Sequence, residues 1–137
     1  MRILLATLGV LLAVTSGSAS AEWVKIGEDK KMTLYLDPST IKASNNLRKV
    51  WTLLDRKDIP EYGGLSVRSH KQYNCKTDEM TILSFSFHSE HMALGNVISA
   101  HTPSDNLINV PPNTPESAAL KFVCSKVGGK RSDNLSK

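Results

Sequence analysis

The chain has 137 residues, 17 of them Lys or Arg and 13 Asp or Glu, for a formal charge of +4. That length suits one domain with a modest core. The positive residues are spread among acidic ones, a balance that excludes nucleic acid as the expected partner.

Arg2, the apolar run 3–14 and Ala19-Ser20-Ala21 read in order as an export signal. The charge starts it, an apolar stretch of about a dozen residues is too short to span a bilayer comfortably, and the small residues suit signal peptidase. Cleavage is expected after Ala21, which leaves a mature chain from Glu22 with no integral membrane segment and a charge of about +3 once Arg2 is gone. The destination is the periplasm or the exterior, with surface display left open.

In the mature chain, 22–26 reads as a short strand. Met32, Leu34 and Leu36 then alternate with Thr33, Tyr35 and Asp37, the period of a half-buried strand, and Asp37-Pro38-Ser39 ends it with turn chemistry. The stretch 49–55 carries apolar side chains on both faces, as a central strand does. After the Tyr62-Gly63-Gly64 turn, 65–75 places Leu65, Val67, Tyr73 and Cys75 on one face, interrupted by Ser69 and Lys71. Arg68, His70, Gln72 and Asn74 occupy the other face. Next, an apolar row of Leu83, Phe85 and Phe87 alternates with a polar row of Ser84, Ser86 and His88. A sixth strand is expected at 96–101. The prolines in 102–115 preclude a continuous strand there.

Thr114-Pro115-Glu116 supplies an N-cap, a proline at the first helical position and an acidic first turn. Leu120, Val123, Cys124 and Val127 follow as one apolar stripe, and Gly128-Gly129 ends the helix. The fold class is therefore α+β, an antiparallel sheet of about six strands with a C-terminal helix on one face. The expected organisation is a signal peptide at 1–21, a domain at 22–128 and a flexible tail at 129–137.

Two cysteines in an exported chain read as a structural disulfide, because the compartment oxidises thiols and no reducing pool reopens the bond. Joining Cys75 to Cys124 pins the helix across the sheet, with Leu83, Phe85 and Phe87 as expected partners of its stripe. Trp23, Trp51 and Tyr35 could serve as recognition aromatics, but packing in the core is the expectation. Arg68, His70, Gln72, Ser84, Ser86 and His88 form a polar row that is either a solvated outer face or a binding face.

Catalytic signals are absent from the residue pattern. No serine sits in a nucleophile elbow, no glycine loop cradles phosphate, and both cysteines are committed to the bridge. His88-Ser89-Glu90-His91-Met92 holds metal-type donors, yet strand residues three apart point to opposite faces and no second Cys/His pair supports them. Neither a metal, a cofactor nor an enzymatic activity is expected.

Taken in order, 22–27 (EWVKIG), 35–41 (YLDPSTI), 50–55 (VWTLLD), Tyr73-Asn74-Cys75, 92–98 (MALGNVI) and Val123-Cys124 resemble the surface-adhesin protein E family of Gram-negative bacteria. The resemblance spans nearly the whole mature chain. It implies antiparallel strands with a C-terminal helix tied to the sheet by the cysteine pair, a fold that can dimerise, and adhesion to host matrix and serum proteins. The chain departs from the family pattern in having no lipidation cysteine near the predicted cleavage point. It also carries Asn106-Leu107-Ile108-Asn109-Val110 where the family often has a tryptophan. The expected function is a non-enzymatic exported binding protein, an adhesin-like module for host or envelope proteins. The alternative is a soluble periplasmic binder or inhibitor.

Overall fold

The computed structural model describes residues 21–58 and 63–126. The predicted signal peptide up to residue 20, Tyr62 of the predicted turn, Val127, Gly128-Gly129 and the tail lie outside the described residues. Among the described residues, eight strands and one α-helix are formed: β1 (Val24–Glu28), β2 (Met32–Leu36), β3 (Lys42–Ser44), β4 (Leu47–Arg56), β5 (Ser66–Asn74), β6 (Glu79–His88), β7 (Val97–His101), β8 (Leu107–Asn109) and α1 (Pro115–Lys126). All pairings are antiparallel, in the order β1-β2-β4-β5-β6-β7. Six strands match the sequence expectation, and β3 and β8 are short additions.

Both additions extend an edge that another strand leaves unfinished. β2 pairs with the Thr52–Arg56 part of β4, and β3 pairs with its Leu47–Lys49 part. Between them a 3-10 turn at Pro38–Thr40 is capped by Asp37, whose Oδ1 accepts from the Ser39 amide at 3.0 Å. On β6, β7 covers Phe85–His88 and β8 covers Glu79–Thr81. The gap at Ile82 is closed by a side chain. Asn106 Oδ1 accepts from the Ile82 amide at 2.7 Å and its Nδ2 donates to the Ile82 carbonyl at 2.9 Å, which reproduces one rung of a β-ladder.

The helix begins where the residue chemistry places it. The Thr114 hydroxyl accepts from the Ser117 amide at 3.2 Å, and the Ser117 hydroxyl accepts from the Thr114 amide at 3.0 Å, a reciprocal cap. Ala119, Leu120 and Val123 are buried and join Leu34, Leu36, Val50, Tyr73, Met80 and Val110 in the core. Cys75 and Cys124 form the expected disulfide, with 5.7 Å between their Cα atoms.

The helix lies elsewhere on the sheet than predicted. It packs over β1, β2 and β4, close enough that a Cβ on Gly27 of β1 would come within 3.3 Å of Pro115. Phe85 and Phe87 are not its partners. They stay half-buried, edge-on to one another with ring centroids 5.6 Å apart, and Phe85 stacks on His101 of β7 at 5.1 Å. The reason is position, because α1 lies over β1, β2 and β4 and not over β6; β6 also carries a bulge. His70 pairs with Ser84 but Lys71 pairs with Ile82, so Leu83 is an extra residue and the inward parity changes from Met80 and Ile82 to Phe85 and Phe87.

Lys71, which interrupts the apolar parity of β5, is 2% exposed. Its ammonium pairs with Glu116 in the first turn of α1, and the Tyr73 hydroxyl donates to the other oxygen of that carboxylate at 2.6 Å. Burial and the adjacent carboxylate push the Tyr73 phenol well above the ordinary tyrosine range. A charged contact and a disulfide thus attach the two ends of one helix to the sheet.

Candidate functional site

Strand parity gives the sheet two unlike faces. Val50, Thr52 and Leu54 of β4 and Ser69, Lys71 and Tyr73 of β5 point toward the helix side. Trp51, Leu53 and Asp55, with Arg68, His70 and Gln72, point the other way. No helix covers that second face among the described residues. One end of it is closed by the 3-10 turn His91–Ala93. There the Ser66 hydroxyl donates to the Glu90 carbonyl at 2.6 Å and accepts from the Ala93 amide at 2.9 Å. Asp55 Oδ1 accepts from the Met92 amide at 3.1 Å and meets His91 Nδ1 at 3.0 Å.

The remainder is open and centred on Trp51. This ring, expected in the core, is half-buried on the outer face directly across from His70. The two rings stack with centroids 4.7 Å apart and planes 11° from parallel, and the Arg68 guanidinium lies 4.0 Å from the indole centroid. Such contacts fix the orientation of both side chains at little entropic cost. Lys49 lies on the same face of β4 beside Gln72, and Lys42 of β3 pairs with Lys49. Two shallow depressions flank the stack. One, of about 280 Å³, is lined by Trp51, Arg68, Ser84, Ser86 and Ala100 among others, and the second, of about 260 Å³, by Lys42, Lys49 and Gln72 among others.

The charge on this surface has one dominant sign. Burial lowers the His70 imidazole below the usual histidine range, and the cations Lys49, Lys42 and Arg68 lower it further. Burial and Arg68 do the same to His88. Both rings are therefore neutral at neutral pH. Lys42, Lys49 and Arg68 enter none of the ion pairs formed among the described residues.

Of the predicted polar row, Arg68, His70, Gln72, Ser84 and Ser86 share the open face. His88 belongs to the same row but is only 7% exposed at the closed end, where Nε2 meets Ser86 Oγ at 2.8 Å and Nδ1 is buried without a partner. It is a structural residue of the covered end. Lys42, Lys49 and Trp51 are the face residues missing from the predicted row. The signal for Trp51 was its position between Val50 and Thr52, which turn to the helix side.

His88 and His91 engage different partners, Ser86 and Asp55 respectively. No group of three His, Cys, Asp or Glu side chains is placed to hold a metal ion among the described residues. Larger depressions lie in the gap between β7 and β8, about 580 Å³ with Asp105 as its one charged residue, and beside the disulfide, about 410 Å³. Neither gathers oriented aromatic and cationic groups. No described helix is long and apolar enough to cross a membrane.

The model of the family described as surface-adhesin protein E matches residues 23–125. No curated protein sequence matches the chain. Among solved structures, protein E of Haemophilus influenzae in crystal form II aligns at a TM-score of 0.56 and 18% identity, covering 74% of this chain and 86% of that one. A second structure of Haemophilus influenzae protein E aligns at 0.53 and 20% identity, covering 74% and 83%. At these identities the likeness is one of fold.

Proposed function

The chain belongs to the surface-adhesin protein E family, and from that premise we propose that it is an exported, non-enzymatic binding module whose open sheet face contacts another protein. Export would be directed by residues 1–21, with 22–128 as the working domain. The observation that carries this reading is the asymmetry of the sheet. One face is covered over β1, β2 and β4 by α1, tied there by the disulfide and the Lys71–Glu116 pair, while the other holds Trp51, Arg68 and His70 oriented and not covered by a helix among the described residues. Rigid aromatic and arginine side chains on an exposed surface are the groups that dominate protein interfaces. Their half-buried state fits a surface that a partner would finish desolvating.

The test is a photo-crosslinking amino acid at Ser84, on the open face, and separately at Lys121, exposed on the helix, in cells producing the protein. Protease shaving of intact cells is run alongside. A crosslinked protein partner at Ser84 and loss of the chain on shaving are expected. Crosslinking at neither position would refute the binding module, and crosslinking at Lys121 alone would move the interface to the helix. Recovery only from the periplasm, with Ser84 still crosslinked, would replace the adhesin by a periplasmic binder or inhibitor.

A further inference from the structure

We propose that the open face takes an acidic polypeptide segment, with Arg68, Lys49 and Lys42 pairing with its carboxylates while Trp51 supplies the apolar floor. This rests on the reading of that face as the binding surface and adds the chemistry of what binds.

Charge complementarity carries the inference. Three cations from three adjacent strands converge on one side of the sheet, and none of them has a carboxylate within ion-pair distance among the described residues. Neither Asp55 nor Glu79, carboxylates with the same outward parity, pairs with these cations. Asp55 is held by His91 and the Met92 amide at the closed end, and Glu79, at the start of β6, lies outside ion-pair distance of all three cations. Arg68 is held over Trp51 rather than by an anion, so its N–H groups remain to be satisfied by water or a ligand. Clustered like charges cost stability through mutual repulsion, and a fold keeps such a cluster at less cost where an anionic partner relieves it. The two depressions on either side of the Trp51 stack give an extended segment places for successive side chains, with Gln72 lining one and Ser84 and Ser86 the other as polar groups.

His70 provides an internal reporter. Around it stand Trp51 and Lys49 from β4, Arg68 from its own strand, Lys42 from β3 and Ser84 from β6, with Glu79 farther along β6. Every charge found to act on its ring is positive, and these hold its proton affinity down. A carboxylate seated among the cations reverses that field. Binding must therefore raise the pKa of His70 and, by linkage, strengthen as pH falls through its titration.

The experiment uses the exported protein, purified with its disulfide intact, and a capped decapeptide of alternating Glu and Gly followed by NMR. A Gln/Gly peptide of equal length and a sulfated hexasaccharide are the competing probes. Shifts at Trp51, Arg68 and His70, a rise in the His70 pKa on saturation and weakening with added salt are expected. Lys49→Gln should weaken binding about two- to fivefold and Arg68→Gln by at least as much, each with an unchanged unfolding midpoint. Equal binding of the Gln/Gly peptide, shifts confined to the helix side, or an unmoved His70 pKa would overturn the inference. Tighter binding of the saccharide would assign the face to a different class of ligand. A silent Glu/Gly peptide with Ser84 still crosslinked on cells rejects this chemistry while leaving the face as the interface. Peptide binding without any Ser84 crosslink rejects the interface reading alone.

Discussion

Replacing Glu116 by alanine should cost this domain far more than removing Lys71, the cation it pairs with. The Lys71 side chain is 3% exposed and that of Glu116 is 22% exposed. Glu116→Ala therefore strands an ammonium that water does not reach and deprives the Tyr73 hydroxyl of its acceptor as well. Breaking a buried pair in this way costs about 3–5 kcal/mol, which at about 4–8 °C per kcal/mol for a domain of this size lowers Tm by at least about 12 °C. Lys71→Met leaves the carboxylate partly hydrated and still bonded to Tyr73, so its cost should be about 1–2 kcal/mol. The double variant Lys71→Met/Glu116→Gln removes both charges and keeps a side-chain acceptor for Tyr73; it should lie within about 1 kcal/mol of the parent. Urea unfolding followed by tryptophan fluorescence, with the disulfide intact throughout, measures all three. Equal costs for the two single variants, or a Glu116→Ala cost below about 1 kcal/mol, would refute the claim that Lys71 depends on this carboxylate.

The bridge closes a loop with a sequence separation of 49, for which chain entropy gives about 4 kcal/mol; the same urea midpoint with and without reductant would show that it contributes nothing. Gly64→Ala should be severely destabilising, because the new Cβ would lie 1.9 Å from the His88 carbonyl oxygen, a backbone atom of β6. A loss of about 3 kcal/mol or more is expected, and a near-parental melting curve would contradict the packing described at that end of the sheet. His70 and His88 titrate below the usual histidine range in the folded protein. The unfolded chain therefore takes up protons first as pH falls, and the contribution of these groups, fully present above about pH 6.5, is lost as pH drops below it. The urea midpoint should fall between pH 7 and pH 5, and His70→Phe, which keeps a ring against Trp51, should flatten part of that slope; an unchanged slope in this variant would remove His70 from the account.

The parts of the fold legible in the sequence were those governed by local rules. Thr114-Pro115-Glu116 places the helix start within a residue, because capping is a contest among neighbouring backbone groups. Cys75 and Cys124 declared their pairing through compartment and parity. What escaped depends on register between strands. Met80 and Ile82 are apolar at even numbers and Phe85 and Phe87 at odd ones, a phase break that signals a bulge; the reading of Leu83, Phe85 and Phe87 as one row passed over it. Lys71 looked like an interruption because its carboxylate is supplied from 45 residues away. Asn106 acts as a rung of the sheet through its side chain, which no propensity describes. Hydrophobicity favours the core over a recognition role for Trp51, whereas its parity opposite His70 puts it on the open face.

The same alternation separates stability from recognition within single strands. In β5, Ser69, Lys71 and Tyr73 turn to the helix and Arg68, His70 and Gln72 turn away. In β4, Val50 and Trp51 divide the two faces between adjacent positions. Because the outward side chains rest on a sheet already held from the other side by α1, the disulfide and the Lys71–Glu116 pair, they can change without loosening the framework that orients them. This predicts two kinds of variant on the same strand. Changes at Arg68 or Gln72 should alter binding with little effect on the unfolding midpoint, and changes at Lys71 or Tyr73 should lower the midpoint first and binding only as a consequence. Leu53 marks the limit of the separation, since it belongs to the outward parity yet is fully buried. Near the turn at His91–Ala93 both faces are structural, and the surface available to a partner begins where that cover stops, at the Arg68–Trp51–His70 cluster.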